Sequence, residues 1–178
     1  FIQIRPPDMP VKLRRADAAA QQRQPQPGIK LAVEEKALKE GLKEKGMTES
    51  KKKAVLKSRI EQVWEVVTDL SDCSWRSDLQ RIDVLEPGKT FVEYTKEGFP
   101  TTFVITRFEP PYRYEFTMDN ANMTGTWTGL FRRTDEGCEA DFTERVDVKK
   151  WIMKPFVPGY LKKQQEQYFN DLKAALGE

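Results

Sequence analysis

From Ile82 to Val148 the chain alternates apolar and polar side chains with a period of two, in runs cut by turn residues. Successive side chains of a strand point to opposite faces, so each run reads as a strand with one apolar and one wetted face. Ile82 and Val84 come before the turn Glu86-Pro87-Gly88-Lys89. A second run covers 91–96 and ends at Glu97-Gly98, and a third covers 103–108 and ends at Glu109-Pro110-Pro111. Tyr112, Tyr114, Phe116 and Met118 then alternate with Arg113, Glu115 and Thr117. A run over 123–133 and another from Cys138 to Val148 flank the turn Asp135-Glu136-Gly137. Connections this short join antiparallel neighbours, so the strands form a meander.

Helical spacing brackets these strands. Ala54-Val55-Leu56 suits a short first strand. Ser58 and Glu61 match a capping box, and Val63, Trp64, Val67 and Leu70 give the following helix an apolar face. Ser71-Asp72 ends it, and a second short helical turn is expected through Trp75. After Pro155 and Pro158 come Tyr160, Leu161, Gln164, Tyr168, Leu172 and Leu176, the spacing of a long terminal helix. The class is α+β, with about seven strands, two short helices after the first and a long helix at the end.

The 178 residues divide unevenly. Residues 1–28 are rich in Pro, Gln and Ala and read as a disordered or extended tail. Ile29, Val33, Leu38 and Leu42 give 29–46 one apolar stripe, an amphipathic extension suited to protein contact. Residues 47–178 carry what a compact domain needs, and Met47 is a candidate biological start.

Composition removes several functions. Net charge is +2, and the basic residues are interleaved with acidic ones, so no nucleic-acid surface is expected. Lys51-Lys52-Lys53 is the densest basic run and reads as a solvated strand start. There is no histidine, which removes the commonest general base, the Ser-His and Cys-His pairs and most zinc sites. No metal or cofactor is expected. Cys73 and Cys138 stand too far apart in sequence for a metal knuckle, and reduced thiols point to the cytoplasm. No stretch approaches the roughly 20 apolar residues of a membrane span.

At this level the residues resemble the SRPBCC superfamily (START-like), and within it the polyketide cyclase/dehydrase-type proteins. The resemblance rests on Val63-Trp64-Glu65-Val66-Val67-Thr68-Asp69 with Trp75 following, and on Glu86-Pro87-Gly88. Phe108-Glu109-Pro110-Pro111-Tyr112-Arg113-Tyr114, Gly125-Thr126-Trp127 and the aromatic terminal helix complete it. It implies a helix-grip fold, in which a curved antiparallel sheet wraps the long final helix around an apolar cavity. It also implies a lipid, polyketide or quinone-like ligand, held by a carrier or sensor.

The ligand-facing set is then the apolar half of each alternation. It comprises Tyr112, Tyr114, Phe116 and Met118 from one strand, Trp127 and Phe131 from the next, and Ala140, Phe142 and Val146 from the last. Tyr160, Gln164, Tyr168 and Leu172 come from the helix. The plain alternative is that these side chains only fill the core. Counting by twos from Phe142 places Glu144 inward as well, where a carboxylate needs a partner or a proton. Arg107 is the candidate partner. An enzyme of the cyclase/dehydratase kind would use Glu144 with a cavity tyrosine, but no second inward carboxylate is legible. A protein-interaction domain working through 29–46 is the third reading. Gly125 and Gly129, flanking Trp127, are expected to permit close packing.

Overall fold

The computed structural model describes residues 47–178. The expected tail (1–28) and amphipathic extension (29–46) lie outside the described residues.

Seven strands form one antiparallel sheet: β1 (Thr48–Leu56), β2 (Leu79–Glu86), β3 (Thr90–Thr95), β4 (Pro100–Glu109), β5 (Arg113–Asp119), β6 (Met123–Thr134) and β7 (Gly137–Val148). Their order is β1-β7-β6-β5-β4-β3-β2. The meander therefore runs unbroken from β2 to β7, and β1 closes against β7. Helix α1 (Ile60–Thr68) follows β1. After β7 a short 3-10 helix (Trp151–Phe156) leads into α2 (Val157–Ala175). This is the α+β helix-grip architecture.

β1 is longer than Ala54–Leu56 because the lysine run keeps alternation: Lys51 and Lys53 face water, the latter 3.0 Å from Asp141. At Gly137 the backbone takes φ +137, and a Cβ there would stand 2.2 Å from the Leu56 carbonyl oxygen. Glycine is what lets the β6–β7 turn sit against the end of β1.

Two local expectations are corrected. The capping box at Ser58 does not form. Instead the Glu178 carboxylate accepts the amides of Lys57 and Ser58 and the Ser58 hydroxyl, each at 2.8 Å. α1 starts one residue later, with the Gln62 side chain accepting the Arg59 amide at 3.2 Å. The second short helix is reduced to one turn through Trp75, closed by the Arg76 amide donating to the Cys73 carbonyl at 3.0 Å, in otherwise irregular chain between α1 and β2. Asp69 accepts the Ser71 amide and Asp72 the Ser74 amide, both at 2.8 Å. Such side-chain turns give the backbone an alternative to helical bonding.

The core lies between the sheet and the two helices. α1 contributes Ile60, Val63, Trp64 and Val67. α2 turns Val157, Leu161, Gln165, Tyr168, Phe169 and Leu172 inward, a stripe at helical three- and four-residue spacing.

Candidate functional site

The inner face is built on aromatic rings, one from each successive strand. Phe91 of β3 stacks on Phe103 of β4 at 4.8 Å. Phe103 meets Phe116 of β5 edge-on at 5.2 Å, and Phe116 stacks on Trp127 of β6 at 5.0 Å. Trp127 leans on Phe142 of β7 at 4.8 Å, and Phe142 stacks on Phe169 of α2 at 4.7 Å. Phe91–Phe103 and Phe116–Trp127 are register partners, while Phe103–Phe116 and Trp127–Phe142 meet diagonally on the same face, within reach of large rings. Gly129 makes room for these rings: a Cβ there would come 2.2 Å from Cη2 of Trp127, whose indole lies across the glycine.

Two carboxylates interrupt this apolar face. Glu144 lies two residues beyond Phe142 on β7 and is fully buried. Its register partners are Ser50 on β1 and Trp127 on β6. Neither carboxylate oxygen has a hydrogen-bond partner among the described residues. Burial alone pushes its pKa well above the ordinary 4.5, so the carboxyl keeps its proton where a free glutamate has lost it. Ser50, beside it, donates its hydroxyl to Oε1 of Gln165 at 2.8 Å, and Nε2 of Gln165 returns a bond to the Ser50 carbonyl at 3.2 Å. A polar patch therefore joins β1, β7 and α2 within the core.

Glu93, two residues beyond Phe91 on β3, is the second buried carboxylate. Its Oε1 stands 3.9 Å from Nη1 of Arg76, itself 4% exposed. Arg76 is committed elsewhere: Nε and Nη2 donate to the two oxygens of Asp78 at 2.8 and 2.7 Å, and its guanidinium lies over the Tyr168 ring at 4.8 Å. Desolvation of Glu93 therefore outweighs the attraction of Arg76, and its pKa rises to about 8. Burial pulls Arg76 down, but Asp78 and Glu93 more than offset it and hold it charged. Burial, and next the charge of Glu93, raise the phenol of Tyr114. Burial raises that of Tyr168 as well, against the attraction of Arg76. The Cys73 thiol is raised by burial and by Glu93, opposite to what an activated nucleophile needs.

Residues 47–177 match the sequence profile of a family described as polyketide cyclase / dehydrase and lipid transport. The chain belongs to that family. Solved structures of similar fold include a conserved protein from Geobacillus kaustophilus, 15% identical, covering 73% of this chain and 95% of its own, with a TM-score of 0.62. A START superfamily protein from Mycobacterium smegmatis is 11% identical over 72% of this chain and 95% of its own, with a TM-score of 0.61. An AHSA1-like protein from Aeromonas hydrophila is 22% identical over 71% and 90%, with a TM-score of 0.53. No curated protein matches the chain. These likenesses confirm the SRPBCC, START-like fold.

On this family fold the structure buries Tyr114, Phe116, Met118, Trp127, Phe131, Phe142 and Glu144 of the sheet and Tyr168 of α2 in the core, as the strand alternation and the helical spacing predict. Tyr112 is corrected. It sits in the connection before β5, is 53% exposed, and is not on the inner face. Gln164 is half-buried and donates to the Tyr160 hydroxyl at 2.7 Å, while Gln165 occupies the inward position. Tyr160 packs at the border of the core. Arg107 does not partner Glu144; it pairs with Glu109 at 2.8 Å on the outer face. Sequence reasoning missed Glu93, Arg76 and Gln165. For Glu93 the signal was available, because counting by twos from Phe91 reaches it, as the same count from Phe142 reached Glu144. Among the described residues no helix is long and apolar enough to cross a membrane.

Proposed function

We propose that the domain binds a hydrophobic small molecule, of lipid, polyketide or quinone-like character, between the sheet and α2, and acts as its carrier or sensor. The observation that carries this reading is Glu144, a fully buried carboxyl on an aromatic face with both oxygens unmatched among the described residues. Leaving such a group unsatisfied costs about 1–3 kcal/mol. A ligand hydroxyl or carbonyl meeting it would remove that cost. Phe116, Met118, Trp127, Phe131, Phe142, Tyr114 and Tyr168 would take the apolar body, gaining roughly 25 cal/mol per Å² removed from water. The family description, which includes lipid transport, supports the ligand class.

The test is native mass spectrometry of the purified chain, followed by extraction and identification of the guest. A bound apolar molecule bearing at least one oxygen, lost or exchanged in Glu144→Gln, is the expected result. A guest retained unchanged by both Glu144→Gln and Phe116→Ala would refute this siting.

One observation favours a second reading, catalysis of the cyclase/dehydratase kind. Glu93 supplies the second inward carboxylate, with its pKa raised to about 8 and the phenols of Tyr114 and Tyr168 in electrostatic reach. A general acid/base works best with its pKa close to the working pH. Turnover of a flexible polyketide that survives both Glu93→Gln and Glu144→Gln would eliminate this reading.

A further inference from the structure

We propose that the segment 149–163 docks the domain onto an anionic lipid bilayer, with Trp151, Ile152 and Phe156 set among the headgroups and the surrounding lysines against the phosphates. This concerns the outer surface and stands whether or not the interior holds a guest.

Three large apolar side chains project from the short 3-10 helix between β7 and α2: Trp151 is 80% exposed, Ile152 61% and Phe156 58%. Their neighbours Met153 and Val157 are buried, so the trio is presented from an anchored turn. The sequence around them, Lys-Lys-Trp-Ile-Met-Lys-Pro-Phe-Val-Pro-Gly-Tyr-Leu-Lys-Lys, carries five lysines and no acid. The chain as a whole is nearly balanced at +2, so this concentration is local. Lys149 and Lys154 reach Asp119 at 2.8 Å and Asp147 at 3.7 Å, through exposed pairs that bind weakly and exchange with other anions.

Charge and side-chain type together choose the occupant. Protein interfaces are depleted of lysine. Exposed Trp and Phe interleaved with lysine are what a headgroup layer favours, the rings seating at the interface and the ammonium groups meeting lipid phosphates. A second copy of the chain would bring the same lysines face to face.

The test uses the full chain and sedimentation with vesicles. Phosphatidylcholine mixed with phosphatidylglycerol should capture the protein, pure phosphatidylcholine several-fold less, and added salt should release it. Trp151→Ala combined with Phe156→Ala should lower capture by about tenfold or more, whereas Trp151→Phe should keep most of it. The thermal midpoint of the double variant should match the parent, because its rings lie outside the core; this separates lost docking from lost folding. Brominated lipids should quench the parent's fluorescence more than that of Trp151→Phe. The proposal is overturned if the chain ignores anionic vesicles at low salt, or if the double variant sediments like the parent. It is also overturned if light scattering finds a dimer that the double substitution dissolves while vesicle capture is unchanged.

Discussion

Replacing Glu144 by glutamine should change how stability depends on pH more than it changes stability at any one pH. In the fold the carboxyl is fully buried and pushed well above 4.5; in the unfolded chain it titrates as an ordinary glutamate. Between those two pKa values the folded state holds one proton more than the unfolded state. Stability contributed by the protonated form is thus complete below about 4.5 and is lost as pH rises towards the folded pKa. The loss is about 1.4 kcal/mol per pH unit. Glutamine cannot titrate, so the variant escapes this slope. Its amide adds a burial cost of about 1–3 kcal/mol that is constant with pH. Chemical denaturation of both proteins across a pH series, followed by tryptophan fluorescence, gives the difference directly, and other titrating groups cancel in it. The variant should gain on the parent steadily above about 4.5 by the slope just stated, then level off where folded Glu144 ionises. A difference flat with pH would refute the reasoning, since it would mean that water or a cation reaches the carboxyl.

Three further outcomes are expected. Glu93→Gln should show the same rising difference from 4.5 up to about pH 8, amounting to up to about 5 kcal/mol over the window; a plateau near 5 would mean that Arg76 holds Glu93 ionised. Gly129→Ala should cost about 1–3 kcal/mol in denaturation and alter the near-ultraviolet circular dichroism. Its new methyl would meet the Trp127 indole, which the Phe116 stack keeps in place. Phe142→Ala should cost about 3–5 kcal/mol by denaturation, because its ring touches Trp127, Phe131, Tyr168 and Phe169; a loss under about 1 kcal/mol would place the ring outside the core.

The sheet was readable because period-two alternation is strict in β5, β6 and β7, where one face is buried over nearly the whole strand. β4 was legible as a strand over 103–108 but its inward face was not, and the reason is a register shift between Ile105 and Arg107. An extra residue there changes the phase, so Phe103 and Phe108 both reach the inner rings and parity fails across the strand. β3 carries large apolar residues in both phases, Phe91 in one and Val92 and Tyr94 in the other, so the count by twos that reaches Glu93 did not stand out from its alternative. That is why one inward glutamate was found and the other missed. On α2 the stripe through Leu161 and Leu172 includes Gln165, but the spacing through Tyr160 and Tyr168 puts its neighbour Gln164 there, because two adjacent glutamines give hydropathy nothing to choose between. Arg76 lies in irregular chain, which has no period to count, and its role depends on partners from β3 and α2.

Strand β1 comes early in the domain, yet everything that fixes it comes late. Among the described residues β7 is its only strand neighbour, and Ser50 is tied to Gln165 some 115 residues further on. On the ribosome β1 must therefore wait, with its backbone groups open, until nearly the whole domain has emerged. Nascent chains halted before β7 should leave the β1 amides unprotected against hydrogen exchange, and chains that have released β7 should protect them.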